Sequence, residues 1–92
     1  MGDIIDIKDE YKKNAYINTE KYEEMYKQSI EDPENFWAEQ ADKVDWTKKW
    51  DKVMDYNFNT ADIKWYLGGK LNVTYNCIDR HLEKRGDQTA II

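Results

Sequence analysis

The 92-residue chain has one cysteine, one histidine and one proline, and aliphatic residues are sparse beside its charged ones. A single cysteine permits no internal disulfide, which fits a reducing compartment. One cysteine and one histidine also fall short of the four ligands of a structural zinc site. No apolar run approaches the roughly 18 residues of a membrane span. The amino terminus, MGDIIDIKDEYKK, is acidic where a secretory signal is basic and then apolar. Positive charge is in deficit as well: 14 Lys and Arg stand against 19 Asp and Glu, a net charge of -5, which argues against a footprint on nucleic acid or on an anionic membrane. These absences predict a cytoplasmic chain with no nucleic acid and no membrane among its partners. Internal repeats, low-complexity tracts and linkers are lacking too, so the chain amounts to at most one small domain with a thin core.

What the chain does have is aromatic surface: four Trp, seven Tyr and two Phe. With a mean hydropathy of -1.02, these rings must supply most of the core, and some are expected to face a partner. Residues 1–18 show no clear period and read as a variable or disordered arm, leaving 19–92 as the domain. From Thr19 the pattern sharpens. Tyr22, Met25, Tyr26 and Ile30 recur at helical spacing opposite Glu20, Lys21, Glu23, Glu24 and Lys27. Asp32 followed by Pro33 is a helix start, and Phe36, Trp37, Ala41 and Val44 form the stripe of a second helix ending near Val44. Asp45 to Tyr56 has neither a period of 2 nor one of 3.6 and reads as irregular, with a short strand near Val53. Ile63, Trp65 and Leu67 alternate with polar neighbours into a Gly68-Gly69 turn that calls for a positive φ or a close backbone approach. Asn72 caps a third helix with the stripe Val73, Cys77, Ile78, His81 and Leu82, stopped at Gly86. The final Ala-Ile-Ile reads as a buried strand without a closing turn. The expected fold is therefore α+β and predominantly α, with three principal helices and short extended segments.

Four groups of residues invite a chemical reading, and in each the structural reading is preferred. Cys77 and His81, four apart on one helix, meet the minimum for a thiolate–imidazole pair, but both sit on the apolar stripe, where free cysteine packs as a small hydrophobe. The same two residues make too small a set for a metal. Gly68-Gly69-Lys70 lacks the first glycine, the spacing and the Ser or Thr of a phosphate loop, so it reads as a turn. Asp79, Arg80 and Glu83 on one short helix read as a surface or interface ion-pair set rather than as acid–base catalysts. The residues themselves thus give no catalytic, cofactor-binding or metal site.

Taken in order, "DPENFWAEQADKVDW", "WDKVMDYNF" and "WYLGGKLNVTYNCIDRHLEKRGDQTAII" carry a specific set: Phe36-Trp37, Trp46, Trp65, Gly68-Gly69, Leu71-Asn72, Asn76 and Asp79-Arg80-His81. From about Tyr22 to Ile92 this resembles the amino-terminal segment of the AMP-forming acetyl-CoA synthetase family and its close relatives, such as propionyl-CoA synthetase. Tyr66 stands where that family usually has Phe, a change read as adding only a hydroxyl at an edge-facing ring. The resemblance implies a parent ligase that makes acetyl-adenylate and pyrophosphate from acetate and MgATP, then acetyl-CoA and AMP with CoA. The phosphate loop, acyl pocket, adenine-binding segment and mobile lid of such enzymes lie beyond the resembling segment. ATP, magnesium and CoA would accordingly belong to the parent, and this chain would hold none of them.

The resemblance implies a packing role, as a cap on a larger adenylate-forming ligase domain, with the remainder of the ligase as partner. Two other readings stand beside it: an independent acidic helical protein-interaction module using Tyr22, Tyr26, Phe36 and Trp37, and a small thiol enzyme using Cys77. An unsatisfied strand at Thr89 to Ile92 also leads one to expect association of copies through that end.

Overall fold

The structure is a computed structural model that describes residues 2–92. It contains five α-helices and one antiparallel β-hairpin, a small α+β arrangement. The chain divides into two compact units, the first ending at Phe36 and the second running from Trp37 to Ile92.

In the first unit, the aperiodic arm contains a short helix, α1 (Asp9–Asn14). Its charges explain why it forms without an apolar stripe: Asp9 and Glu10 lie at the positive end of the helix dipole, Lys12 and Lys13 at the negative end. α2 (Thr19–Glu31) is the helix that the Tyr22–Ile30 spacing predicts. Asn18 starts it, its side-chain oxygen accepting from the Lys21 backbone N–H at 2.8 Å. At the other end the Asp32 N–H donates to the Gln28 carbonyl at 2.8 Å. Pro33 then opens α3 (Pro33–Ala41), where its missing N–H costs nothing. The Asp32 carboxylate accepts from the Asn35 side-chain amide at 2.7 Å, while its carbonyl receives the Phe36 N–H.

In the second unit, α3 unwinds three residues before the expected stop. Lys43 and Val44 donate to Gln40 and Ala41 in tightened final turns, and the Trp46 indole N–H takes the Ala41 carbonyl at 2.9 Å. The segment read as irregular holds a full strand. β1 (Lys52–Asn57) pairs antiparallel with β2 (Asp62–Leu67), with Met54 opposite Trp65 and Tyr56 opposite Ile63. Its residues alternate poorly because little of the hairpin is covered: Val53 is buried, whereas Tyr56 and Ile63 are exposed. Cross-strand pairing, a nonlocal property, supplies the order that local periodicity did not signal.

The Gly68-Gly69 turn forms as expected and for the expected reason. Gly68 has φ +77°, and a Cβ there would collide with the Asp51 carboxylate; at Gly69 a Cβ would lie 2.7 Å from the Trp46 ring. Tyr66 just before it also adopts a left-handed φ of 50°, which drops it from the strand ladder and lets the Gly69 N–H reach its carbonyl at 3.0 Å. The turn carries Lys70 back to a bridge with Lys48, closed by backbone bonds of 2.9 and 3.0 Å. The Trp46, Trp50 and Tyr66 rings meet over this turn with centroids 5.1 to 5.4 Å apart. The Tyr66 hydroxyl donates to the Trp37 carbonyl at 2.8 Å, so the hydroxyl ties the end of the hairpin to α3 and is more than an edge decoration.

The third predicted helix is broken. Asn72 caps it as expected, its side-chain oxygen accepting from the Tyr75 N–H at 3.0 Å, but α4 (Val73–Cys77) ends at Ile78, where φ is -124°. A 3-10 turn (Asp79–His81) and a one-turn helix, α5 (Leu82–Arg85), follow. The break has a side-chain cause: Arg80 Nε occupies the Asn76 carbonyl at 2.8 Å, the acceptor that a continuous helix would offer to the Arg80 backbone. Gly86 ends α5 in a right-handed conformation, not the left-handed one usual for a glycine stop. Cys77, Ile78 and Leu82 are consequently exposed and His81 only partly covered, which corrects the buried-stripe reading of Cys77 and His81. The buried strand expected at 89–92 is also absent: that segment has no strand, and Ile91 and Ile92 are fully exposed.

Three outcomes follow from this packing. Asn76, only 6% exposed, bonds both backbone groups of Asp45, so Asn76→Ala should cost about 1 to 2 kcal/mol in urea unfolding, because it removes two part-buried hydrogen bonds; a loss under about 0.5 kcal/mol would contradict the assignment. Tyr66→Phe should cost about 1 kcal/mol. Burial holds the Tyr66 phenol above its ordinary value of 10.0, so its contribution is fully present below that pH and fades as pH rises through the folded value; the gap between wild type and Tyr66→Phe should therefore narrow above about pH 10. Exposed Cys77 should react with a thiol reagent in the native chain at close to its rate in denaturant, and strong native protection would restore the buried reading.

Candidate interaction surface

Cys77 and His81 line one open groove of about 430 Å³ with Ile78, Leu82, Arg85, Gly86 and residues 88–90. The structure thus brings the two together on one wall, but among the described residues no acidic group orients the imidazole as a nucleophile's base requires. His81 Nε2 instead receives the neighbouring Arg80 Nε at 3.4 Å. Among the described residues no three His, Cys, Asp or Glu side chains are placed to hold a metal ion. Gly68-Gly69-Lys70 does not fit a phosphate cradle either: the Gly69 and Lys70 N–H groups are spent on Tyr66 and Lys48.

The Asp79-Arg80-Glu83 set separates in space. Arg80 points inward, its guanidinium 3.0 Å from the Lys43 carbonyl and 3.7 Å from the Asp45 carboxylate, so its partner is Asp45 and neither of the acids beside it in sequence. Asn76 sits at the centre of the same contact. Its oxygen accepts from the Asp45 N–H at 2.6 Å, and its amide donates to the Asp45 and Asn72 carbonyls at 2.8 and 2.9 Å. Sequence reading passed over this cluster, although a signal exists: Asn72, Asn76 and Arg80 stand at i, i+4 and i+8, a polar line on one helix face.

The surface around these fixed points is apolar and open. A second cavity of about 330 Å³ is lined by Asp45, Trp46, Thr47, Asn72 and Tyr75, and a small notch of about 210 Å³ by Trp37, Trp65 and Tyr66. Phe36, Ala41 and Val53 are the only apolar residues buried among those described, while Ile63, Val73, Ile78 and Leu82 are each more than half exposed. Such an excess of exposed large side chains over core marks a surface made to be covered. No helix among the described residues is long and apolar enough to cross a membrane.

Comparison with known proteins places these features in one family. The family model described as the acetyl-coenzyme A synthetase N-terminus matches residues 22–77. An acetyl-coenzyme A synthetase of Magnetococcus marinus is 64% identical over 80 residues, covering 86% of this chain and 12% of that protein. One from Bdellovibrio bacteriovorus is 54% identical over 91 residues, covering 98% of this chain and 14% of the relative. One from Alkalilimnicola ehrlichii is 52% identical over 90 residues, covering 97% and 14%. The chain therefore spans about an eighth of the length of the curated relatives it matches. Because the family match takes in the hairpin, the Trp46–Tyr66 cluster and Asn76 with its Asp45 partner, and exceeds half of the 92 residues, the chain belongs to the acetyl-coenzyme A synthetase N-terminus family.

Proposed function

We propose that this chain is the non-catalytic amino-terminal structural segment of an AMP-forming acetyl-CoA synthetase, and that it caps and braces the large adenylate-forming domain in the cytoplasm. The observation that carries this reading is the imbalance of its surface: three buried apolar side chains against a broad exposed apolar face, in a chain that spans about an eighth of its relatives. On this reading residues 19–92 are the bracing domain and residues 1–18 a variable arm. The remainder of the ligase is the partner, and the exposed Ile91 and Ile92 favour association of copies when that partner is missing.

The parent reaction joins acetate to ATP with release of pyrophosphate and then transfers the acetyl group to CoA. ATP, magnesium and CoA are placed elsewhere in the parent on this reading, which the spent backbone donors of the Gly68-Gly69-Lys70 turn support. What these residues do supply is position: Asn76 and Arg80 hold the segment after α3 against α4, and the Gly68-Gly69 turn carries the hairpin back beneath Trp46.

Two assays check the proposal. The 92-residue chain, given acetate, ATP and magnesium, should release no pyrophosphate above background, and turnover tracking with the purified chain would contradict its non-catalytic role. A chimera in which this chain replaces the matching segment of the Magnetococcus marinus enzyme should fold and form acetyl-CoA at a rate within about tenfold of that enzyme, as expected when the exchanged part touches no reacting atom. An inactive but folded chimera would contradict a purely bracing role.

A further inference from the structure

The segment from Asp79 to Asp87 holds three acidic and three basic residues beside His81, and the fold sorts them. Arg85 and His81 line the groove of about 430 Å³; Asp79, Glu83, Lys84 and Asp87 do not, and Arg80 is turned to the Asp45 carboxylate. No acidic residue is thus among those that line the groove. Arg85 takes part in none of the ion pairs found among the described residues. His81 receives the Arg80 Nε at its own Nε2, which leaves the ring proton on Nδ1 as a donor.

The rest of the groove is apolar on one side and irregular backbone on the other. Ile78 and Leu82 line it while more than half exposed, with the exposed Cys77 beside them. Residues 88–90, which form neither helix nor strand, complete it, and they stop two positions short of Ile92.

We infer that this groove receives an acidic, apolar segment of the remainder of the synthetase chain, with aliphatic side chains on Ile78 and Leu82 and a carboxylate on the Arg85 guanidinium. This rests on the bracing role proposed above and adds the chemistry of the partner surface. Charge selects the acid: a carboxylate matches the guanidinium, whereas a segment bearing lysine or arginine would meet like charge. Connection selects the remainder over a second copy. On the bracing reading the chain runs on from the rim of the groove, and a tethered segment acts there at a roughly millimolar effective concentration that a separate copy does not reach.

Cys77 labelling and zero-length crosslinking of the chimera test this. A thiol reagent should modify Cys77 at least about tenfold more slowly in the folded chimera than in the 92-residue chain. In the Arg85→Lys chimera, a carbodiimide should join position 85 to an aspartate or glutamate of the remainder, read by mass spectrometry of the digested product. Equal Cys77 rates in an active chimera would overturn the inference while leaving the bracing role intact. Slow labelling of Cys77 with position 85 joined to no carboxylate of the remainder would overturn the acidic partner. Protection of Cys77 that appears in the 92-residue chain and grows with its concentration would assign the groove to a second copy and overturn the inference as well.

Discussion

The structure of the second unit depends on one buried amide. Asn76 replaces, for Asp45, the pairing that a strand or helix would have given it: one side chain supplies an acceptor to the Asp45 N–H and a donor to its carbonyl. Asn76 thereby joins positions 31 residues apart through part-buried bonds, each worth about 0.5 to 1.5 kcal/mol. Arg80 extends the contact by taking the Asn76 and Lys43 carbonyls, and the interruption of the helix after Cys77 is the local consequence.

With 43–45 fixed in this way, Trp46 is delivered to the hairpin turn. Its indole N–H is held by the Ala41 carbonyl and its ring lies over Gly69, which has no room for a side chain. Trp50 and Tyr66 complete the cluster, and Tyr66 returns to α3 through its hydroxyl. Aromatic contacts and a few directed polar bonds thus replace a conventional aliphatic core. Such a core is sufficient to position a surface but too small to cover it, which suits the bracing role proposed above.

What could be read from the sequence follows the range of the interaction. α2, α3, the Asn72 cap and the Gly68-Gly69 turn depend on neighbours within a few residues, and spacing revealed them. β1 was hidden because its order comes from pairing with β2 and not from its own alternation. The break after Cys77 was hidden because the competitor for the Asn76 carbonyl is a side chain, and apolar periodicity carries no information about it. The stripe through Cys77, His81 and Leu82 was real as a pattern yet is not buried, since the same periodicity serves a core and a docking face alike. Family membership was legible because rare residues such as Trp46, Trp65 and Asn76 keep their order, whereas the polar line Asn72, Asn76 and Arg80 was overlooked beside them.

The central role of Asn76 is tested most directly by amide hydrogen exchange of the native chain, followed residue by residue. The Asp45 N–H, which lies outside every helix and strand, should exchange as slowly as the best protected amides of the β1–β2 hairpin, because opening it requires the Asn76 contact to break. Exchange of Asp45 at the rate of an unstructured peptide, with the hairpin still protected, would contradict the account.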